Sequence, residues 1–300
     1  MDPEDFENVT LNDTEFGQEI HYQRPSDLVL IPTAIVTLLS IVADVLTIYL
    51  IAKFKNLRTT VNLYILNWRI CNVLFLTLSP INFIVLAFVE YVYKDIICVW
   101  FGEILVTLTG NFMFAIALTL DWCILNYASQ SFALKVRSHY KVNLALLWLL
   151  MALLSVVICF HCVYISLIEW TFVVVTTFFI FILIVHIFRL FKLRTSSSND
   201  EKSNLVLILV SLYFLVWVPN YVVHSIKTFD SERFIYSEFF IFSSLIGYSY
   251  SLILILFLYL YDRNFQSSFK TLCNYASQTS DTGSSYESID IKSNQATSLI

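Results

Sequence analysis

Two ionisable residues stand in stretches where nearly everything around them is apolar. In VADVLTIYLIAKFKNLRTTVNLYILNWRICNVLF, residues 42–75, Asp44 lies inside one apolar run and Arg69 inside the next. A charge held in hydrocarbon is costly, so each of these needs donors, a counter-ion or a route to water. Three kinds of chemistry are open to them: a polar contact that fixes helix register, a buried ion pair, or the lining of an ion pathway. Arg69 lies about 60° from Asn72 around a helix axis, which lets it approach a polar interior. Asp44, Glu103 and Asp121 are its candidate partners. Snorkelling toward the Lys-rich segment about a dozen residues away is the simpler alternative.

Other chemistry is hard to find. His21, His139, His161, His186 and His224 are scattered over different segments, and no His/Cys/acid spacing resembles a metal or nucleophile site. Five glycines in 300 residues leave no Gly-rich phosphate loop. A net charge of −5 with no basic patch beyond the cytoplasmic bias disfavours nucleic acid. The expectation is therefore a protein that is not an enzyme and carries no cofactor.

The elements that must position these residues follow from composition. The chain is 58% hydrophobic and only 14% charged, with a mean hydropathy of +0.72, whereas soluble domains carry about 25% charged residues. Crossing a bilayer takes about 20 apolar residues per helix. Seven runs qualify: 28–52, 61–89, 97–126, 142–161, 165–191, 204–226 and 235–260. The fold class expected is an all-α membrane protein, a bundle of seven transmembrane helices joined by short polar links, followed by a short C-terminal amphipathic helix.

Lys and Arg set the orientation, because cytoplasmic loops retain them. The 53–60, 129–141 and 189–203 segments and the tail hold most of them, while residues 1–27 are strongly acidic. The N-terminus is expected outside, and the sequons at Asn8 and Asn12 fall on that side as glycan acceptors. Residues 1–27 lack the apolar core of a cleavable signal, so the first helix serves as insertion signal. Acidic outer segments would attract a cationic partner or simply be solvated. Of six cysteines, Cys98 at the outer start of the third run can pair with Cys162 after the fourth, with Cys159 as competitor. Cys273 follows a short amphipathic run and is either palmitoylated or an unmodified thiol.

Across nearly the whole chain the residue pattern resembles the rhodopsin-like (class A) G-protein-coupled receptors. The landmarks come in order: Asn62 to Asn67 (NLYILN) in the second helix, Trp148 in the fourth, Trp217 to Pro219 (WVP) in the sixth, and Tyr261 to Phe269 (YDRNFQSSF) as the amphipathic helix on the inner leaflet. The resemblance puts Asp44 where the family has its first-helix Asn and Asn72 where it has its second-helix Asp. Acid and amide have exchanged helices at two adjoining positions, and Asn111 aligns with a further polar member of that site. Such a cluster would hold water or sodium, since a buried carboxylate needs donors or a cation. Arg69 has no counterpart in the family.

The chain also departs from the pattern. Where the third helix should end in Asp-Arg-Tyr it reads Asp121-Trp122-Cys123, a register supported by the 26 residues from Trp122 to Trp148. The seventh helix has Leu254, Ile255 and Leu258 in place of Asn, Pro and Tyr, and the fifth has no proline. Ile104 stands at the amine-binding Asp and Tyr248 at the retinal-bearing Lys, so neither a monoamine receptor nor an opsin is favoured.

The expected organisation is an extracellular segment 1–27, a receptor domain 28–261, an amphipathic helix 262–275 and a disordered cytoplasmic tail 276–300. The resemblance implies a plasma-membrane, multi-pass receptor. An extracellular ligand, of peptide type by the acidic N-terminus with Tyr22, would bind near Glu103, Tyr221, His224 and Tyr248. The switch would involve Asp121, Trp122, Trp217 and Pro219, and the partners would be the lipid bilayer and a heterotrimeric G protein or arrestin-like adaptor. A receptor-fold protein that scavenges ligand or pairs with another receptor is the alternative, and a transporter or channel the third reading. Glu103 has a second reading as a helix-surface or core hydrogen-bonding group.

The Lys/Arg count generates a test of topology. An epitope tag at residue 1 should be reached by antibody on intact cells, and one near Ser197 only after permeabilisation. Access to the Ser197 tag without permeabilisation would reverse the orientation.

Overall fold

The computed structural model describes residues 20–21, 27–88, 91–92, 94–161, 173, 176–187, 201–229 and 237–281. They are almost entirely helical. The helices are α1 (Asp27–Lys53), α2 (Thr60–Phe88), α3 (Lys94–Tyr127), α4 (Gln130–Ser138), α5 (Tyr140–His161), α6 (Thr176–Ile187), α7 (Glu201–Phe229), α8 (Ser237–Tyr248), α9 (Tyr250–Tyr261) and α10 (Arg263–Asp281). A short antiparallel ladder, Ile20–His21 against Tyr91–Val92, ties the N-terminal segment to the α2–α3 link. Neither segment has a residue pattern from which this pairing is expected.

Six stretches are long and apolar enough to cross a membrane: Leu28–Lys53, Thr60–Ser79, Gly102–Tyr127, Tyr140–Val157, Leu205–Val223 and Ile241–Tyr261. Of the seventh run, 165–191, the described helix is Thr176–Ile187, too short by itself to span.

In α1 the usual amphipathic pattern is inverted. Thr33, Thr37, Ser40, Asp44 and Thr47 are buried, whereas Ile31, Ile35, Leu38, Val42 and Val45 lie exposed along the opposite face. Both sets recur every three or four residues, so each forms a stripe along the helix. A helix that hides its hydroxyls and displays its leucines is built for lipid outside and protein inside. The protein is thus a membrane-embedded helical protein. α3 is the most enclosed span, with 67% of its apolar window buried, against 6% for α5. The first is central and the second peripheral.

The last span is broken at Ser249, although it has no proline. The Tyr248 carbonyl, which would accept from the Leu252 amide in a continuous helix, accepts instead from Ser40 Oγ on α1 at 2.8 Å. The Leu252 amide turns to the Ser249 carbonyl at 3.1 Å, and Ser249 Oγ donates to the Ile246 carbonyl at 2.6 Å. Hydroxyls thus loosen this helix where the sequence offered no proline.

α10 is amphipathic. Asp262 Oδ1 accepts from the amides of Asn264 at 2.9 Å and Phe265 at 3.2 Å, an N-cap. Phe265 and Ser268 are buried and Phe269 packs edge-on against Tyr259. The helix continues to Asp281, past residue 275, where the apolar period ends and a disordered tail is expected. Residues 282–300 lie outside the described set.

Gly110 marks a close approach of α3 to its neighbours. A Cβ there would collide with the Met151 Sδ and Cε atoms on α5 and with Cys71 Sγ on α2. Methionine can give way, but Cys71 donates to the Thr107 carbonyl at 3.4 Å and is held. Gly110→Val should therefore lower stability by about 1–3 kcal/mol through overpacking, read as a lower melting temperature in detergent. An unchanged melt would mean that α3 does not pack this closely.

Candidate functional site

Asp44 is fully buried in α1. Three side chains close on its carboxylate. Asn72 Nδ2 on α2 donates to Oδ2 at 2.7 Å, Ser251 Oγ on α9 donates to the same oxygen at 2.9 Å, and Arg69 Nη1 on α2 reaches Oδ1 at 3.3 Å. Asn72 Nδ2 also donates to Ser251 Oγ at 2.9 Å. Three helices are thereby pinned to one anion. The spacing explains why: Arg69 and Asn72 are three residues apart and share a face of α2, which is turned toward α1.

Arg69 is fully buried, so it does not snorkel. Its guanidinium carbon lies 4.4 Å from the Trp68 ring centroid and 5.1 Å from that of Tyr250. Those aromatic faces and the Asp44 carboxylate together hold the charge inside the bundle, and outweigh a route to the interface. Among the described residues its Nε and Nη2 have no hydrogen-bond partner. Asn111 is buried too, but it bonds within α3, Nδ2 to the Thr107 carbonyl at 3.0 Å, and does not join Asp44.

Above this cluster sits an aromatic one. Trp217 on α7 lies 5.6 Å from Phe75, 6.3 Å from Tyr248 and 6.3 Å from Tyr213, measured between ring centroids. Gly247 lets the indole rest on the α8 backbone, since a Cβ there would stand 2.9 Å from Trp217 Cε2. Pro219 lies inside α7 two residues on, where it removes one helical hydrogen bond. Tyr248 is buried, its hydroxyl 2.6 Å from Ser79 Oγ.

The residues expected to meet a ligand have separate partners. Glu103 accepts from Ser155 Oγ on α5, as the second reading of this residue anticipates. The Tyr221 hydroxyl lies 3.0 Å from Thr176 Oγ1 on α6, and its ring packs 4.9 Å from Phe179. The side chains of His224, Cys98, Cys159 and Cys162, and the sequons at Asn8 and Asn12, lie outside the described residues. Cys273 is exposed on α10.

At the other end of α3, Asp121 receives both arms of one guanidinium: Arg137 Nε to Oδ1 at 3.2 Å and Nη2 to Oδ2 at 2.8 Å. Arg137 comes from α4. Trp122 is buried, packed edge-on against Tyr127 with ring centroids 5.7 Å apart.

Sequence reasoning missed Ser251, Ser40 and Arg137. The first two are small hydroxyls in apolar helices, a weak signal that only the burial of a carboxylate beside them would strengthen. Arg137 was hidden among the lysines and arginines of the polar links. Among the described residues no group of three His, Cys, Asp or Glu side chains could hold a metal ion. Neither a protein-family model nor a curated protein matches this chain.

The contact between Asp44 and Asn72 is open to a double-exchange test. Asp44→Asn leaves amides and Arg69 without an anion, and Asn72→Asp crowds two carboxylates. Each single change should lower the melting temperature. The double exchange should recover part of the loss, with a coupling energy of about 0.5–3 kcal/mol. Strict additivity would show that the two side chains do not act on one site.

Proposed function

We propose that the chain is a divergent seven-helix receptor of the rhodopsin-like class, with 165–191 as its remaining span, that carries the binding of an extracellular ligand to a cytoplasmic partner. The observation that carries this reading is that the aligned landmarks meet across helices. Trp148 Nε1 donates to Asn67 Oδ1 at 2.9 Å, joining two motif residues from α5 and α2. Asp44 and Asn72, the exchanged pair, likewise touch at 2.7 Å. An accidental likeness of sequence would give these residues no reason to choose each other.

On this reading the N-terminus is outside the plasma membrane, glycosylated at Asn8 or Asn12, and Cys98 pairs with Cys162. A ligand of cationic or peptide character enters near Tyr221 and His224 and shifts α7 about Trp217 and Pro219. It can do so only by binding one helix arrangement better than the other. A heterotrimeric G protein or arrestin-like adaptor reads the change inside. A transporter or channel is less well supported, because Asp44, Glu103 and Asp121 are each engaged by a different neighbour, Arg69, Ser155 and Arg137.

One observation favours a second, non-signalling version of the same fold, a scavenger or a partner of another receptor. The third helix has buried Trp122 where the family has an exposed cation, and Asp121 is already occupied by Arg137. Trp122 has no charge with which to engage a G protein.

Guanine-nucleotide exchange with a panel of heterotrimeric G proteins, in membranes carrying the full chain, separates the two. Exchange should be weak for the unmodified chain and rise about tenfold for Trp122→Arg, the worth of one charge-assisted hydrogen bond. No exchange with any G protein by either form would remove the signalling version. Vigorous exchange by the unmodified chain would show that the missing Arg does not matter.

A further inference from the structure

A carboxylate enclosed by membrane-spanning helices must be met by donors or a positive charge. The resemblance would bring sodium to this position, and the oxygen atoms of Asp44, Asn72 and Ser251 are of the hard kind such a cation seeks. The geometry does not fit it. Asp44 Oδ2 is taken by Asn72 at 2.7 Å and Ser251 at 2.9 Å, both acting as donors. Asp44 Oδ1 faces the Arg69 guanidinium at 3.3 Å. The positive charge is part of the chain. It is wedged beside the rings of Trp68 and Tyr250, and both members of the pair are fully buried.

We propose that Arg69 is a tethered counter-cation that takes the place of a diffusible sodium ion at Asp44, so that the buried site is charge-complete without metal and insensitive to sodium. A mobile ion can leave and so make a helix bundle responsive to its concentration. A guanidinium fixed to α2 cannot leave. It holds α1 and α2 together under all salt conditions, because a pair buried this deeply is hardly screened. Removing only the guanidinium would leave an anion with two neutral donors and room beside it, and a small monovalent cation should then bind.

The test is thermal unfolding of the purified full chain in detergent, in sodium chloride against choline chloride at equal ionic strength. The wild-type melt should be the same in both, within about 1 °C, and so should that of Arg69→Lys, which keeps the charge. Arg69→Met should melt lower in choline and recover by about 2–4 °C or more in about 0.15 M sodium. The neutral double variant Asp44→Asn/Arg69→Met should lose the sodium response. Stability is the readout, so failure here is distinguishable from failure of the receptor reading.

A wild-type melt raised by sodium as much as that of Arg69→Met, or a folded Arg69→Met indifferent to sodium, would overturn the proposal. If Arg69→Met cannot be recovered folded but the double variant can, the unneutralised Asp44 charge is the cause and the proposal stands. If neither can be recovered, Arg69 is needed for its packing and the counter-cation role is refuted.

Discussion

A carboxylate and a guanidinium, both fully buried, share one site, and three helices are arranged around that fact. Breaking such a pair from one side costs about 3–5 kcal/mol, because the surviving charge is stranded. The arrangement is therefore mutually enforcing: α1 brings Asp44, α2 brings Arg69 and Asn72, and α9 brings Ser251. None of the three can rotate or slide without exposing a charge or an amide to hydrocarbon. The presence of such a pair is by itself weak evidence of added stability, since removing two charges from water costs as much as their attraction returns. Apolar packing in lipid is permissive about register, and polar contacts supply the specificity it lacks.

The aromatic layer beside this pair is built differently. Trp68, Tyr213, Tyr250, Phe75, Trp217 and Tyr248 form a chain of edge-to-face and tilted contacts running from α2 to α7 and into the last span. Their contacts are short-ranged and individually small. Large flat rings can exchange one such arrangement for another at lower cost than an ion pair can be opened. The two layers thus differ in kind: the first is held by charge and hydrogen bonds, while the Trp217 layer is held by ring packing, with Pro219 inside α7 two residues on and a hydroxyl-loosened break at Ser249 next to Tyr248.

The C-terminal end of α3 repeats the ionic device with one change. Arg137 reaches Asp121 from outside the helix and keeps partial access to solvent, while Asp121 is nearly enclosed. A bidentate pair of this kind orients the short α4 against α3. Its cation belongs to a short helix between two spans, whereas Arg69 sits within a span. The position left to Trp122 is then a packing position, filled by an indole that closes the end of the core.

The sequence alone determined that this is a helical membrane protein and roughly where its helices run, because apolar length and charge distribution act through the bilayer and need no partner. It also brought Asp44 into view, since a charge in an apolar run is conspicuous wherever the helix ends up, while Asn72, Trp148 and Trp217 came into view through the resemblance of the residue pattern. It could not decide between partners. Arg69 had Asp44, Glu103, Asp121 and the interface open to it, and only the rotation of α2 against α1 selected one. Ser251 and Ser40 are invisible as site residues until a carboxylate or a free carbonyl is placed beside them. Arg137 looked like any cytoplasmic cation until α4 folded back on Asp121. Pairings between helices depend on relative rotation and depth, which one chain's periodicity does not encode. They are settled only when all the helices have to bury their polar groups at once.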